Sequence, residues 1–321
     1  MTKIHALPEV HVLRDAYRSD KAALLAAMKA TGASTRGIRV LLRKLSTLAG
    51  TLLQTLWQRA ELPADMALVA VGGFGRDQLF PYSDVDVLLL MPDGAAPEAG
   101  SALRTQLEGF IGSCWDAGLE IGSSVRTVAE CLAESAGDVT VQTSLLESRL
   151  VCGNAALFED FQRQYRTQMN PQAFLVAKTL EMRQRHNKYE NTPYSLEPNC
   201  KESPGGLRDL QMILWVSQAA GLGRNWKELA ASGMATAFEV RQIERNEALL
   251  CLIRARLHAA AGRHEDRLVF DLQTAVAESF GYRSQAPDGS RLPMRASESL
   301  MRRYYWAAKA VSQLSQILLL N

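Results

Sequence analysis

Hydrophobic residues recur at helical spacing near the start of the chain and throughout its second half. In residues 8–60 the leucines repeat every three or four positions, which places them on one face of a helix. Ser19 and Asp20 are candidate N-caps for a helix in this region. From about Phe158 onward the signals for strands fade, and the pattern predicts an all-helical bundle. The predicted helices of this bundle cover residues 174–189, 207–220, 226–229, 237–260, 268–280 and 297–320.

Shorter apolar runs lie between the two helical regions. Three of them are predicted strands, at residues 66–71, 85–91 and 119–126. Residues 144–151 are predicted to form a strand or another buried element. Helices are predicted between these runs, at residues 101–117 and 129–135. This mixture of helices and short strands predicts an α/β or α+β domain of about 150 residues.

The composition is that of an ordinary soluble globular protein, with 47% hydrophobic and 22% charged residues. A length of 321 residues gives room for about two domains, each with its own core. The formal net charge of +2 argues against a protein that binds nucleic acids mainly through its charge.

Cysteine usage and the N-terminus both predict a cytoplasmic protein. The five cysteines are scattered and none stands in a CxxC pair, which favours reduced thiols over a zinc site or a disulfide framework. The first residues lack the basic and then apolar arrangement of a signal peptide. No apolar run approaches the roughly 20 residues that a membrane-spanning helix requires, so we expect no membrane partner.

The most informative stretch is the glycine-rich turn that follows the first predicted strand. Gly72 and Gly73 open this turn, and eleven residues after Gly73 the chain reads Asp84-Val85-Asp86. On a strand, side chains at i and i+2 share one face, so both carboxylates project the same way while Val85 points into the core. Two carboxylates held this close together are unfavourable unless a cation lies between them.

A glycine turn beside paired carboxylates suits chemistry on a nucleoside triphosphate. Glycines let backbone N–H groups approach an anion closely, as they do in phosphate-binding turns. Carboxylates supply the hard oxygen ligands that a divalent cation prefers, and metal-assisted transfer needs both features. The ordinary alternatives are that the Gly-Gly pair is only a turn and that Asp-x-Asp is only the end of a strand. Their spacing between two apolar strands favours a metal–nucleotide site.

Gly-Gly followed by Asp-x-Asp is similar to the signature of the nucleotidyltransferase superfamily typified by DNA polymerase β. More narrowly, residues 72–76 and 81–86 resemble the bacterial PII uridylyltransferase/uridylyl-removing enzymes. The resemblance covers roughly residues 66–320. It implies an α+β fold, in which a polymerase β-like nucleotidyltransferase domain (a small mixed sheet with flanking helices) precedes an all-helical bundle. The implied divisions are an N-terminal helical region (1–60), the catalytic domain (61–160) and a bundle that covers the nucleotide (161–321).

Further segments extend the resemblance. Residues 122–127 match the family's Gly-His-Ser-Val-Arg-Thr except at Ser123, where a histidine is common, so no acid–base role is assigned there. Residues 201–211 resemble a segment characteristic of these enzymes, in which a Pro-Gly turn opens a helix. Lys201 and Arg208 of this segment either hold triphosphate oxygens or pair with neighbouring carboxylates to fix the bundle. Two other similar segments, residues 262–271 and 302–305, are better explained by packing and interhelical ion pairs than by catalysis.

The resemblance also implies a magnesium site. Asp84 and Asp86 are the expected catalytic and metal-binding carboxylates, and members of the superfamily add a third from a later strand. Glu120, Asp138 and Glu147 are the candidates in this chain. Glu147 is chosen because its neighbours resemble an acidic-x-Arg-Leu arrangement of related nucleotidyltransferases. The alternative for Glu147 is a surface glutamate in a salt bridge.

Contacts to the nucleotide are predicted for a larger set of residues. Arg76 either contacts phosphate or forms an ion pair with Asp77 or Asp84. The full set of predicted nucleotide-binding residues is Gly72, Gly73, Arg76, Ser83, Lys201 and Arg208.

By resemblance, the donor is UTP and the acceptor is a tyrosine hydroxyl of the PII nitrogen-signalling protein, with release of pyrophosphate. Two alternatives stand beside this interpretation. One is an adenylyltransferase acting on another acceptor such as glutamine synthetase, and the other is a catalytically silent module that senses nucleotides. None of the five histidines is followed by aspartate, so we expect the transferase portion alone, without the family's hydrolase and ligand-sensing domains.

Overall fold

The computed structural model describes residues 8–286, 288–290 and 292–320. These residues form two compact units. The first unit contains the described residues up to Leu25 together with Leu41–Leu79 and Ser83–Met169. The second unit contains Ala26–Val40, Phe80–Tyr82 and the described residues from Asn170 onward. Within these ranges, no helix combines the length and the hydrophobicity that crossing a bilayer requires.

A mixed sheet of four strands organises the first unit. The strands follow the order β3-β2-β1-β4 across the sheet. β2 pairs in parallel with β3, whereas β1 is antiparallel to both β2 and β4. The sheet confirms the predicted α+β architecture with a small mixed sheet. Its strands are β1 (Ala67–Ala70), β2 (Val85–Met91), β3 (Ile121–Thr127) and β4 (Arg149–Gly153).

Helices precede, separate and follow these strands. One face of the sheet is covered by the helices that follow β3 and β4, because Leu88 and Leu90 pack with Val128, Leu145 and Phe161 in one buried cluster. Leu88 and Leu90 follow Asp86 along β2 at the i+2 spacing that keeps side chains on one face, so this apolar cluster holds the part of the strand beyond the aspartates. The helices are α1 (Val10–Lys29), α2 (Ile38–Ala60), α3 (Gly72–Gly75), α4 (Ala102–Asp116), α5 (Val128–Gly137), α6 (Val139–Leu146) and α7 (Ala155–Gln168).

The helical pattern of residues 8–60 is confirmed by α1 and α2, but the predicted cap is wrong. Ser19 and Asp20 lie in the interior of α1, which begins at Val10. The pattern misleads here because the apolar positions that are most regular begin only after these two residues. Residues 144–151 are also not a single element, since α6 ends and β4 begins within them.

The second unit is built from helices, as its sequence pattern predicts. α11 contains a continuous buried run from Leu249 to His258. α11 begins at a capping box formed by Thr236 and Glu239 and ends at Gly262, which adopts the left-handed conformation with φ of 66°. The helices of this part of the chain are α8 (Pro171–Lys188), α9 (Leu207–Ala219), α10 (Trp226–Ala231), α11 (Ala237–Ala261), α12 (Phe270–Ser279) and α13 (Ala296–Leu320).

Candidate active site

Asp84 and Asp86 lie at the start of β2, with one residue between them. Asp84 immediately precedes the strand and Asp86 is its second residue, and both are exposed. Val85 between them is buried, with 3% of its surface exposed. This alternation is the one expected of a strand whose i and i+2 side chains share a face. The structure therefore presents the two carboxylates to solvent on one side of β2.

Two glycines leave space for the Asp86 carboxylate. In the parallel pairing of β2 with β3, Gly122 lies opposite Asp86. A Cβ atom at Gly122 would lie 2.5 Å from Asp86 Oδ1, and one at Gly72 would lie 3.6 Å from Asp86 Oδ2. Gly72 also has a φ of 56°, in the region that favours glycine. The position of the carboxylate thus depends on the absence of a side chain at Gly122.

The glycine-rich turn is a single helical turn, α3. Its backbone runs from Val71, in extended conformation, into Gly72–Gly75. The first N–H groups of a helix have no partner within it, so this turn presents donors at its start. Gly75 packs against the backbone so closely that a Cβ atom there would overlap the carbonyl oxygen of Glu147 and lie 3.0 Å from that of Ala70. Close contact of α3 with the segment before β4 therefore requires glycine at position 75.

Arg76 and Glu147 form an ion pair beside this turn. Arg76 donates from Nη1 to Glu147 Oε2, and the Glu147 side chain is buried, with 3% exposed. The other terminal nitrogen of Arg76, Nη2, lies 3.7 Å from the position that a Cβ atom would take at Gly73. The arginine is thus held over the glycine turn by a buried carboxylate. Glu147 is therefore buried, whereas Asp84 and Asp86 are exposed.

The partner that the structure gives to Arg76, Glu147, was not among the two predicted for it. Asp77, one of those two, is paired with Arg149, whose Nη2 lies 3.0 Å from Asp77 Oδ1. Asp77 also accepts a hydrogen bond of 3.2 Å from the Ser46 hydroxyl. Ser83, the remaining predicted residue of this region, is half-buried directly before Asp84.

Lys201 and Arg208 belong to the second unit, where they surround one carboxylate. Arg208 donates to Glu202 Oε1 from both Nε and Nη2, at 3.2 and 3.0 Å. Lys201 Nζ lies 3.8 Å from the same oxygen. Burial and the neighbouring cations Arg208 and Arg254 lower the pKa of Lys201. These contacts are those of the pairing alternative, and a role of either cation in binding nucleotide stays a prediction.

Asp209 is the buried centre of a second ion-pair group in the same segment. It accepts hydrogen bonds from Arg185 Nη2 at 2.6 Å, from the Gly205 backbone N–H at 2.7 Å and from His186 Nε2 at 2.9 Å. Burial raises the pKa of this carboxyl, but the His186 hydrogen bond and the Arg185 charge outweigh burial, so the pKa of Asp209 lies below its usual value. This group fixes the Pro-Gly turn to α8 and α9.

Gly122 is the site residue that sequence reasoning did not identify. The motif that contains it was visible, but its contact with Asp86 depends on the parallel register of β2 and β3. The spacing of residues along the chain does not show which residues face each other in two strands that a helix separates. The one usable signal was a glycine inside a predicted strand, which often marks close approach of another group.

Comparisons with known proteins show which family model and which enzymes this chain resembles. Residues 173–319 match the model of the family described as GlnD PII-uridylyltransferase. A "Bifunctional uridylyltransferase/uridylyl-removing enzyme" of Cupriavidus pinatubonensis is 57% identical over 309 residues, which are 96% of this chain and 34% of that protein. The proteins of the same description from Cupriavidus metallidurans and Burkholderia mallei are 56% identical, and this chain again covers 34% of each.

The resemblance found in the motifs is thereby confirmed. The chain spans about a third of the length of the curated relatives it matches. Over nearly all of its own length it is homologous to the bifunctional uridylyltransferase/uridylyl-removing enzymes, and residues 173–319 carry the GlnD PII-uridylyltransferase domain.

Proposed function

We propose that this chain is a metal-dependent nucleotidyltransferase that moves UMP from UTP to a tyrosine hydroxyl of the PII signalling protein. The observation that supports this most strongly is the exposed pair Asp84 and Asp86, with the Asp86 carboxylate accommodated between Gly72 and Gly122. The names of the relatives supply the uridylyl group and, for the matched family, the PII acceptor.

The donor set suits magnesium. Asp84 and Asp86 offer carboxylate oxygens at the surface, where a cation can keep several of its waters, as Mg²⁺ does in proteins. Glycine at positions 72 and 122 leaves room beside Asp86 that a larger side chain would fill. When bound, Mg²⁺ supplies electrostatic stabilisation of the charge on the phosphates. Glu147 was predicted as the third ligand, and its pairing with Arg76 offers a second role for it.

The protein residues around the turn would orient the triphosphate. Gly72 and Gly73 permit close approach of phosphate oxygens to backbone N–H groups at the start of α3. Arg76 extends over Gly73 and adds positive charge there, while Glu147 fixes the direction of its guanidinium group. In this role Glu147 acts on the nucleotide only through Arg76.

The reaction itself forms one bond and breaks one. The tyrosine oxygen attacks the α-phosphorus of UTP, and the bond from that phosphorus to the pyrophosphate oxygen breaks. The phenolic proton is released, pyrophosphate leaves, and UMP stays attached to the tyrosine. Fixed charges and donors around the phosphates lower the barrier to such a transfer.

The experiment that tests the proposed reaction uses intact mass. The purified chain is incubated with Mg²⁺, with either PII protein or glutamine synthetase, and with each of UTP, ATP, CTP and GTP in turn. Thermal shifts with the same triphosphates report nucleotide binding separately. We expect PII to gain the mass of UMP with UTP, and no comparable adduct with the other three. An AMP adduct on glutamine synthetase, and none on PII, would assign the chain to adenylyl transfer. Nucleotide binding without transfer to either protein would assign it to the sensor class.

A further inference from the structure

The three residues Phe80–Tyr82 pack within the second unit, although Asp84 of the first unit follows two residues later. Phe80 is buried, with 3% of its surface exposed. The Arg254 guanidinium lies over its ring, 4.0 Å from the centroid, and the His258 ring lies 6.1 Å away, centroid to centroid. The segment that leads to the candidate carboxylates is therefore anchored by α11.

The backbone of Tyr82 is held by His258. The Tyr82 N–H donates to His258 Nδ1 at 3.3 Å, so this nitrogen acts as the acceptor. The other ring nitrogen, Nε2, lies 3.0 Å from Asp266 Oδ1, so it carries the proton and donates. His258 is completely buried, and burial lowers its pKa, which keeps the ring neutral and able to accept at Nδ1.

Asp266 is itself fixed by two further side chains. Arg254 donates to it from Nε at 2.6 Å and from Nη2 at 3.1 Å. His264 Nε2 lies 3.1 Å from Asp266 Oδ2. Burial raises the pKa of this carboxyl, but the His258 hydrogen bond and the Arg254 charge lower it strongly, so Asp266 is an anion that orients the His258 ring.

A metal site is the competing explanation for this cluster. His258, His264 and Asp266 could each offer one ligand atom, and these atoms lie within 4.8 Å of one another. Both nitrogens of His258 are already engaged, however, one by a backbone N–H and one by a carboxylate. A metal would have to displace one of these bonds. The hydrogen bonds instead form a relay from Arg254 through Asp266 and His258 to the Tyr82 backbone.

We propose that His258, oriented by Asp266, is a positioning residue for nucleotidyl transfer, because it fixes the Tyr82 backbone from which the chain continues through Ser83 to Asp84. This proposal rests on the proposed function of Asp84. A catalytic group displaced by about 1 Å can lower a rate on the order of 100-fold, so an anchor two residues away from it has kinetic consequences. Residues 262–271, which resemble a segment of the family, thereby have a proposed role beyond packing.

The test compares three variants of the chain in transfer of UMP to PII protein. His258→Leu removes the acceptor for the Tyr82 N–H, and His258→Asn keeps an oxygen near the position of Nδ1 that can accept it. His11→Leu is the matched control, since it makes the same substitution at an exposed histidine of α1 that lies outside this group. We expect the leucine variant to lose at least about tenfold in kcat with KM for UTP changed less than about twofold.

The asparagine variant is expected to recover most of kcat, and the His11 control to keep wild-type kinetics. A folded leucine variant with wild-type kcat, or an asparagine variant as slow as the leucine variant, would overturn the proposal. Nitrogen NMR of labelled histidine tests it without any variant: His258 should be neutral with its proton on Nε2, and a proton on Nδ1 would contradict the relay. Absence of transfer by the wild-type chain with all four triphosphates would instead overturn the proposed function.

Discussion

At the scale of single residues, the space beside Asp86 is set by a glycine on the neighbouring strand. The nearest atoms to a Cβ at Gly122 belong to the end of a flexible side chain, not to backbone. A methyl group there can therefore be accommodated by rotating the Asp86 carboxylate away from its place. Function and stability should respond very differently to the same small change.

We predict that Gly122→Ala lowers kcat for UMP transfer by about tenfold or more and changes the free energy of unfolding by less than about 1 kcal/mol. The control is Ser123→Ala, which alters an exposed neighbour on the same strand. Kinetics and denaturant unfolding of both variants provide the measurement. Equal activity of the two variants would show that Asp86 does not need the position it has here.

Glu147 poses a second question at this scale, because a buried partner of Arg76 and a metal ligand are different roles. We expect Glu147→Gln to raise KM for UTP several-fold, since Arg76 loses its charged partner, and to leave Mn²⁺ affinity unchanged. Electron paramagnetic resonance of bound Mn²⁺ checks the second point independently of activity. A loss of Mn²⁺ binding as large as that of Asp84→Asn would instead support Glu147 as the third ligand.

Spacing along the sequence was sufficient for one part of the site and not for another. The shared direction of Asp84 and Asp86 follows from the period of a strand, and the structure places both as exposed residues around a buried valine. Their role in metal binding stays a prediction. The Arg76–Glu147 pair joins residues 71 positions apart, so nothing local could indicate it.

At the scale of elements, most helices and strands were predictable because their apolar positions repeat with a clear period. α6 was not, for an identifiable reason. Its sequence begins with Val139, Thr140 and Val141, and such β-branched residues are typical of strands. Asp138 starts the helix by accepting hydrogen bonds from the Thr140 and Val141 backbone N–H groups, at 2.6 and 3.3 Å. The capping interaction outweighs the strand propensity of the β-branched residues that follow it.

The contact of α3 with the segment before β4 gives a prediction about stability. Gly75→Ala should destabilise the fold by about 1–3 kcal/mol, because its Cβ would overlap backbone that cannot rotate away. Gly112→Ala is the matched control. Gly112 lies in α4 with no atom near its Cβ position, so alanine there should stabilise by about 0.5–1 kcal/mol. Thermal unfolding checks both, and a Gly75→Ala variant as stable as wild type would contradict the described contact.

At the scale of the whole molecule, the order of a mixed α+β part followed by a helical part was predictable from hydrophobic periodicity alone. The exact limits of the three predicted regions, 1–60, 61–160 and 161–321, stay predictions. Periodicity could not indicate that Phe80–Tyr82 packs in the helical unit, because three residues are too few to carry a period.

The free energy of unfolding should fall at acidic pH, because protonation of Asp209 in the second unit removes a stabilising charge. Its pKa lies below the usual value near 4, so its stabilising effect is complete above about pH 4 and is lost as the pH falls further. We expect Asp209→Asn to cost about 3–5 kcal/mol at pH 7, since it removes the nearer charged partner of the buried Arg185 and leaves only the 3.7 Å pair with Glu202. The difference from wild type should shrink below pH 4.

Denaturant unfolding of the full chain at several pH values provides this measurement. Asp271→Asn is the control, because Asp271 is exposed and its replacement should change stability by less than about 0.5 kcal/mol at every pH. A difference between Asp209→Asn and wild type that stays constant down to pH 2 would show that the ionised carboxylate is not what stabilises the fold.

The most direct measurement compares UMP transfer to PII protein by the wild-type chain, Asp84→Asn and Asp116→Asn, with intact mass as the readout. Asp116 is an exposed aspartate at the end of α4 and serves as the control. We predict that Asp84→Asn loses transfer on the order of 100-fold or more while it unfolds like wild type, and that Asp116→Asn keeps full activity. Transfer by Asp84→Asn at the wild-type rate would contradict the assignment of this carboxylate pair as the catalytic centre.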